Sequence, residues 1–226
     1  MKKALIIDSG ILINFAMNGI LYVIEELKKE FEGHFIITES VKYEVVDRPM
    51  KVQRFEFEAV KIQALLDNKT LVMPKDLGID LKKLSSKTKE FTDKANHFVR
   101  IDERWVNLVS EAEMSCLALS EMLMEQGYET IIAIDERTTR ILGENPEQIE
   151  DLMSNKLHKK VTLDTKEINL FNKNRFIRSP ELVYVAFKKG LFHNIKGSKA
   201  LEAALYATKF KGSAISFEEI NELKKL

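Results

Sequence analysis

The stretch that decides the fold is Ala-Leu-Ile-Ile-Asp at residues 4–8, a short apolar run that ends abruptly in a carboxylate. Such a run is typical of a strand buried on both faces in a parallel sheet. A second run, residues 129–134, also ends in acids, Asp135 and Glu136. Because ligands of open parallel sheets bind outside the carboxyl ends of the strands, Asp8 and Asp135 are expected to face one crevice.

Outward from these runs, strand and helix patterns alternate along the chain. Apolar residues at helical or strand spacing occur at residues 11–15, 20–31, 34–38, 39–47, 55–66, 70–73 and 110–126. The alternation predicts an α/β fold with a mainly parallel central sheet flanked by helices. Residues 75–90 are rich in Lys, Ser, Asp and Thr, and this composition predicts a surface loop.

The C-terminal third differs from the rest in charge and pattern. Residues 151–226 carry 15 Lys and Arg against 8 Asp and Glu, which leaves 20 against 27 in residues 1–150. Helical patterns near residues 179–189, 199–209 and 217–226 dominate this part. We therefore expect a main domain at residues 1–145 and a basic, mostly helical C-terminal extension at residues 146–226, packed on it.

The composition also limits the compartment and the site chemistry. With one cysteine, Cys116, no intramolecular disulfide can form, and no apolar stretch approaches the length of a membrane span. These features predict a cytoplasmic protein without a membrane partner. The four histidines are scattered and unpaired with cysteine, which argues against zinc, and no glycine-rich phosphate loop is present.

Four acidic residues are the candidate catalytic residues: Asp8, Glu44, Glu111 and Asp135. Each alone has an ordinary structural explanation, since aspartate forms turns and a first-turn glutamate complements the helix dipole. Together they would repel one another strongly unless a cation lay among them. A hard divalent ion with oxygen ligands, Mg²⁺ or Mn²⁺, fits such a set.

Four segments, in order, resemble the motifs of the PIN-domain family of metal-dependent ribonucleases. Residues 5–13 resemble its opening strand with the following Asp-Ser, and residues 37–45 resemble its second motif, with a Glu-Val pair. Residues 110–118 are similar to its Gly-Glu-Ala-Glu motif, and residues 132–137 to its last strand with an acidic pair. The resemblance covers residues 1 to about 145, and the extension resembles that of larger members.

The resemblance implies an endoribonuclease that cleaves single-stranded RNA with Mg²⁺ or Mn²⁺ and leaves 5′-phosphate and 3′-hydroxyl ends. It implies Asp8, Glu44, Glu111 and Asp135 as metal ligands. Glu113 and Glu136 are further candidates, and the motif leaves open whether Asp135 or Glu136 is the fourth acid. The insertion at 75–90 and the long tail depart from the compact toxin nucleases, so toxin and RNA-processing roles both stay open.

Further residues are predicted around this centre. Polar supporting residues are Ser9, Asn14 and Thr38. Candidate RNA-binding residues are Arg137, Arg140, Lys159, Lys160, Arg175 and Arg178, within a tail that also contains Lys166. Expected partners are RNA, a second copy of the chain in a homodimer, and an inhibitory antitoxin-like protein.

Two rival functions belong to other classes. A non-catalytic RNA-binding or scaffold protein could keep the same fold, although the presence of all four acids argues against it. A phosphohydrolase with a nucleophilic strand-end aspartate usually has a second aspartate two residues later, where this chain has Gly10.

Overall fold

The computed structural model describes residues 2–164, 171–193 and 197–226. Its central sheet has four parallel strands in the order β2-β1-β5-β7. These strands are β1 (Lys2–Ile7), β2 (His34–Ile36), β5 (Tyr128–Ala133) and β7 (Phe176–Ile177). The predicted α/β fold with a mainly parallel sheet is thereby confirmed. Lys166, in the predicted basic tail, lies outside the described residues.

Helices cover the sheet and supply its crossovers. In chain order they are α1 (Ser9–Met17), α2 (Tyr22–Glu30), α3 (Glu39–Lys42), α4 (Gln53–Asp67), α5 (Leu81–Asn96), α6 (Glu111–Glu125), α7 (Arg137–Glu144), α8 (Gln148–Leu157), α9 (Ser179–Lys188), α10 (Ser198–Phe210) and α11 (Phe217–Leu223). A π-helical turn, Tyr43–Asp47, continues α3. In the described residues no helix is long and apolar enough to cross a membrane.

The first strand lies at the centre of the core, as its apolar run predicts. Ile6 and Ile7 are fully buried, and β1 pairs with β5 along its whole length, from Lys2 with Tyr128 to Ile7 with Ala133. Burial of both faces explains why the run has no polar alternation. The two longest strands thus end side by side, and each is followed by an aspartate.

The predicted loop at residues 75–90 is wrong, since most of this segment belongs to the 16-residue helix α5. Its buried residues are Leu84, Thr88, Phe91 and Ala95, which recur at helical spacing, and the Asp80 side chain caps the N-terminus. The abundance of lysine and serine reflects the exposed face of the helix. Residues 70–73, whose apolar pattern predicts a short strand, form only a single bridge, between Val72 and Ile36.

The C-terminal extension contributes strands as well as helices. A small antiparallel sheet joins β3 (Val99–Ile101) to β4 (Arg104–Trp105) and to β6 (Thr162–Leu163) from the extension. Strand β7 completes the central sheet, and α9 contacts α1 and α2. Residues after 145 therefore contact the earlier part of the chain through both sheets.

Candidate functional site

The candidate site lies at the carboxyl edge of the central sheet. Asp8 directly follows β1, its backbone N–H donates to the Ala133 carbonyl at 2.9 Å, and it is the N-cap of α1. Asp135 lies two residues beyond the end of β5. Parallel pairing of β1 with β5 therefore brings both carboxylates to the same edge, as the sequence predicts.

Among the carboxylates of the described residues, Asp8 has the pKa that is shifted furthest from its ordinary value. Its side chain is nearly buried, at 4% exposure; Oδ2 accepts a 3.1 Å hydrogen bond from the Gly10 amide, and Oδ1 has no partner. Burial raises the pKa of Asp8 from 3.8 to about 7; the Gly10 bond opposes this rise, and the charges of Glu113 and Glu44 add to it. Such a group favours either a proton or a nearby cation over an isolated charge.

Glu113, on α6, is the acid with the largest charge effect on Asp8. It is half-buried, caps the helix N-terminus through Ser110, and accepts a 2.6 Å hydrogen bond from the Thr139 hydroxyl. Burial raises its pKa; the Thr139 bond lowers it, and the charge of Glu136 raises it further. Glu113 therefore belongs to the Asp8 cluster.

Glu111 is the first residue of the same helix, but its side chain lines a different cavity. It is exposed, accepts a 3.4 Å hydrogen bond from the Ser40 hydroxyl, and lines a separate cavity with Thr38 and Thr88. Positions i and i+2 of a helix face opposite directions, so Glu111 and Glu113 cannot serve one site equally. The charge of Glu113 raises the pKa of Asp8, whereas Glu111 contacts Ser40.

Glu44 reaches the cluster from the π-helical turn that continues α3. It is half-buried, and its charge raises the pKa of Asp8. It also borders a mostly apolar cavity of about 350 Å³, whose walls include Ile13, Met17 and Phe55. Glu44 thus stands between the buried carboxylate and an open, largely apolar groove.

Asp135 is as buried as Asp8, but both of its carboxylate oxygens are hydrogen-bonded. Its oxygens accept hydrogen bonds from the Ser179 amide at 2.9 Å, the Ser179 hydroxyl at 2.7 Å and the Ser213 hydroxyl at 2.8 Å. The Asn14 side-chain amide donates a longer hydrogen bond, 3.5 Å, to Oδ2 of Asp135. Asp135 therefore joins the end of β5 to the start of α9 and to the loop after α10, so its bonds fix the position of the extension.

Glu136, the alternative fourth acid, is the N-cap of α7. It accepts hydrogen bonds from the Thr139 amide at 2.7 Å and the Thr138 hydroxyl at 2.9 Å. Thr139 thereby bridges Glu136 to Glu113, and the charge of Glu136 acts on Glu113. Of the two adjacent acids, Glu136 is the one coupled to the Asp8 cluster through Glu113.

The predicted supporting residues take different positions. Ser9 directly follows Asp8, and its backbone amide lowers the pKa of the Asp8 carboxyl. Asn14 is buried beside Asp135 and donates to the Thr208 carbonyl at 2.9 Å. Thr38 caps α3, and its hydroxyl lies 2.6 Å from that of Ser115.

Several predicted RNA-binding residues already have acidic partners. Lys159 pairs with Asp102 and Arg175 with Glu129, both at the surface, while Arg178 pairs with Glu181 and Glu219. Lys160 and Arg137 are exposed, and Arg140 is half-buried. Arg137 and Arg140 line one cavity together.

Two features of this cluster fit a divalent cation: its side chains are all oxygen ligands, and one buried carboxylate oxygen has no hydrogen-bond partner. Asp8, Glu44 and Glu113 offer only oxygen, the type that Mg²⁺ and Mn²⁺ prefer, and Oδ1 of Asp8 is buried without a partner. Burial and the charges of the same three acids raise the pKa of the buried thiol of Cys116. Even so, within the described ranges no three acids, histidines or cysteines form a ready coordination shell.

Sequence reasoning did not find Ser179 and Ser213 as partners of Asp135. Ser179 begins a predicted helix, but its bond to Asp135 spans 44 residues and that of Ser213 spans 78. No local pattern indicates such pairings. A usable signal did exist for Glu113, because Ser110 and Glu113 form the Ser-x-x-Glu capping box that fixes this glutamate at the helix start.

No family model, no curated protein and no solved structure matches this chain. The resemblance to PIN-domain ribonucleases therefore stays a prediction that rests on the four sequence motifs.

Proposed function

We propose that the chain is a metal-dependent endoribonuclease that cleaves single-stranded RNA at the carboxyl edge of its parallel sheet. The observation that carries the proposal is the buried Asp8 carboxylate, whose Oδ1 has no partner and whose neighbours Glu113 and Glu44 are also acidic. A structural aspartate at this depth would normally have its oxygens hydrogen-bonded. A divalent cation would satisfy the orphaned oxygen and remove the repulsion at once.

In this proposal Asp8, Glu44 and Glu113 hold one Mg²⁺ or Mn²⁺ ion. When bound, the ion supplies positive charge that offsets negative charge developing on a scissile phosphate and lowers the pKa of a nearby water. Thr139 fixes Glu113 through its 2.6 Å hydrogen bond, and Glu136 fixes Thr139 in turn. These contacts would preserve the position of a carboxylate whose own pKa is raised.

Asp135 takes a positioning role in the proposed enzyme. Its oxygens already accept three short hydrogen bonds from Ser179 and Ser213, so it has little capacity left for a metal. By holding α9 and the loop after α10, it would fix the part of the extension that carries Arg178 and Lys209 at this edge of the sheet. Glu111, which is exposed on the other side of α6, is assigned no ligand role.

The test is cleavage of a labelled single-stranded RNA by the full-length chain with Mn²⁺ and with chelator. We expect Asp8→Asn to lower the cleavage rate by about two orders of magnitude or more, because one ligand charge and one catalytic anchor are lost. The matched control is Asp67→Asn, the same change at an exposed residue at the end of α4.

Three outcomes would contradict the proposal. Cleavage that persists in chelator would exclude the metal, and equal cleavage by the parent and Asp8→Asn would exclude the site. RNA binding without any metal-dependent cleavage by the parent would favour the non-catalytic RNA-binding alternative.

A further inference from the structure

A second cavity, cationic where the first site is acidic, lies between α7, the start of α9, the end of α10 and the start of α11. Its volume is about 590 Å³. Four cationic side chains line it, Arg137, Arg140, Arg178 and Lys209, against one acid, Glu219. Most of this wall comes from the extension, so the cavity exists only because the extension packs on α7.

Two of the four cationic side chains already have hydrogen-bond partners within the protein. Arg178 donates to Glu181 and to Glu219, and also to the Ala214 carbonyl at 3.1 Å. Burial lowers the pKa of Arg178, but its bonds to these acids outweigh burial and raise it. Lys209 donates to the Ile215 carbonyl.

The other two cations, Arg140 and Arg137, form no ion pair with any described residue. Nε of Arg140 is buried and has no hydrogen-bond partner. Burial lowers the pKa of Arg140, and the nearby charge of Arg178 lowers it further, while the charges of Glu144, Glu181 and Asp135 oppose this change. A buried guanidinium nitrogen without a hydrogen-bond partner is costly, and an anion that accepts its hydrogen bond would remove this cost. The cavity therefore has a buried guanidinium nitrogen, Nε of Arg140, whose hydrogen-bond donor is unused.

An aromatic side chain stands at the same cavity. Phe210, the last residue of α10, lines the cavity and is 73% exposed. An exposed aromatic beside an anion site can stack on the base next to a phosphate, as in single-strand binding proteins. Ser213 also lines the cavity while donating to Asp135, which places the cavity next to the carboxyl edge of the sheet.

We propose that this cavity binds a phosphate group of single-stranded RNA, held by Arg140 and Arg137, with the adjoining base stacked on Phe210. Guanidinium groups match phosphate oxygens with paired, charge-assisted hydrogen bonds. The phosphate site stands on the geometry alone, while its assignment to RNA rests on the proposed ribonuclease function. The cavity then holds a strand at a fixed distance from the acidic centre.

The first arm of the test titrates inorganic phosphate into the full-length chain in chelator at low salt, followed by calorimetry. We expect weak binding that falls about tenfold in Arg140→Gln, which removes one charge-assisted contact. Arg137→Gln serves as a second variant because its exposed side chain is not needed for folding, and it should weaken binding in the same direction. Arg104→Gln, exposed in the small sheet, is the matched control and should bind like the parent.

The second arm measures binding of a short single-stranded RNA, again in chelator so that nothing depends on cleavage. We expect Arg140→Gln to lower RNA affinity about tenfold, and Phe210→Ala to lower RNA affinity while leaving inorganic phosphate unchanged. Loss of phosphate binding with RNA affinity unchanged in both variants would overturn the RNA assignment. Absent phosphate binding, or equal binding by Arg140→Gln and Arg104→Gln, would overturn the site itself, whatever the outcome of the cleavage assay.

Discussion

Two aspartates end neighbouring strands of one sheet, yet their surroundings are opposite. Asp135 accepts three hydrogen bonds from Ser179 and Ser213, whereas Asp8 accepts one from the Gly10 amide at Oδ2 and keeps Oδ1 without a partner. Both are about 5% exposed or less. The two carboxylates are equally buried, but only that of Asp135 is fully hydrogen-bonded. Asp135 therefore has a structural role, while Asp8 stays available for a ligand.

The largest stability effect should come from removing the compensated aspartate. Asp135→Ala leaves the Ser179 amide and two serine hydroxyls buried without an acceptor, and we expect it to lower the free energy of unfolding by about 3 kcal/mol. Urea unfolding of the parent and the variant measures this difference. Asp67→Ala, the matched exposed change, should stay within about 0.5 kcal/mol, and equal losses in both would remove the structural role of Asp135.

In the absence of metal, replacing Asp8 should have a smaller effect on stability, and of the opposite sign. Its pKa rises from 3.8 to about 7 on folding, so the folded chain keeps a proton that the unfolded chain releases. Stability should therefore fall as the pH rises through this window, by a fraction of the roughly 4 kcal/mol that the whole shift represents. Asp8→Asn should flatten this dependence and be more stable than the parent at neutral pH by about 1 kcal/mol or more.

Melting in chelator across that pH range measures the difference, with Asp67→Asn as control. A parent whose stability does not fall toward neutral pH, or an Asp8→Asn variant less stable than the parent, would make Asp8 an ordinary strand-end residue.

A finer distinction concerns two glutamates on one helix. Glu113 acts on Asp8, whereas Glu111 faces a different cavity, so Glu113→Gln should weaken Mn²⁺ binding about tenfold and Glu111→Gln by less than about threefold. The two variants carry the same chemical change two residues apart, so each controls for the other. A larger loss in Glu111→Gln would restore the ligand set that the sequence resemblance implies.

The same contrast shows what the sequence can predict. Asp8 and Asp135 were predictable at one edge because an apolar run ending in an acid is a local signal, and parallel strands end together. Their different roles were not, because the partners of Asp135 lie 44 and 78 residues further along the chain. Such contacts depend on how the extension folds back.

Local composition also misled the prediction of α5. Lysine and serine in residues 75–90 resemble a loop, while the buried stripe of Leu84, Thr88, Phe91 and Ala95 is sparse and includes a polar residue. The choice between Glu111 and Glu113 depended on the rotation of α6, which the capping box indicates and composition does not. Short strands such as β7 form because partners are present, so their own sequences carry little signal.

The most direct test of the central claim is calorimetric titration of Mn²⁺ into the parent, Asp8→Asn and Asp67→Asn. If the orphaned Asp8 carboxylate is a cation ligand, the parent and Asp67→Asn bind alike, and Asp8→Asn binds at least about tenfold more weakly. Equal Mn²⁺ affinity in the parent and Asp8→Asn would contradict the claim and leave the acidic edge without a metal.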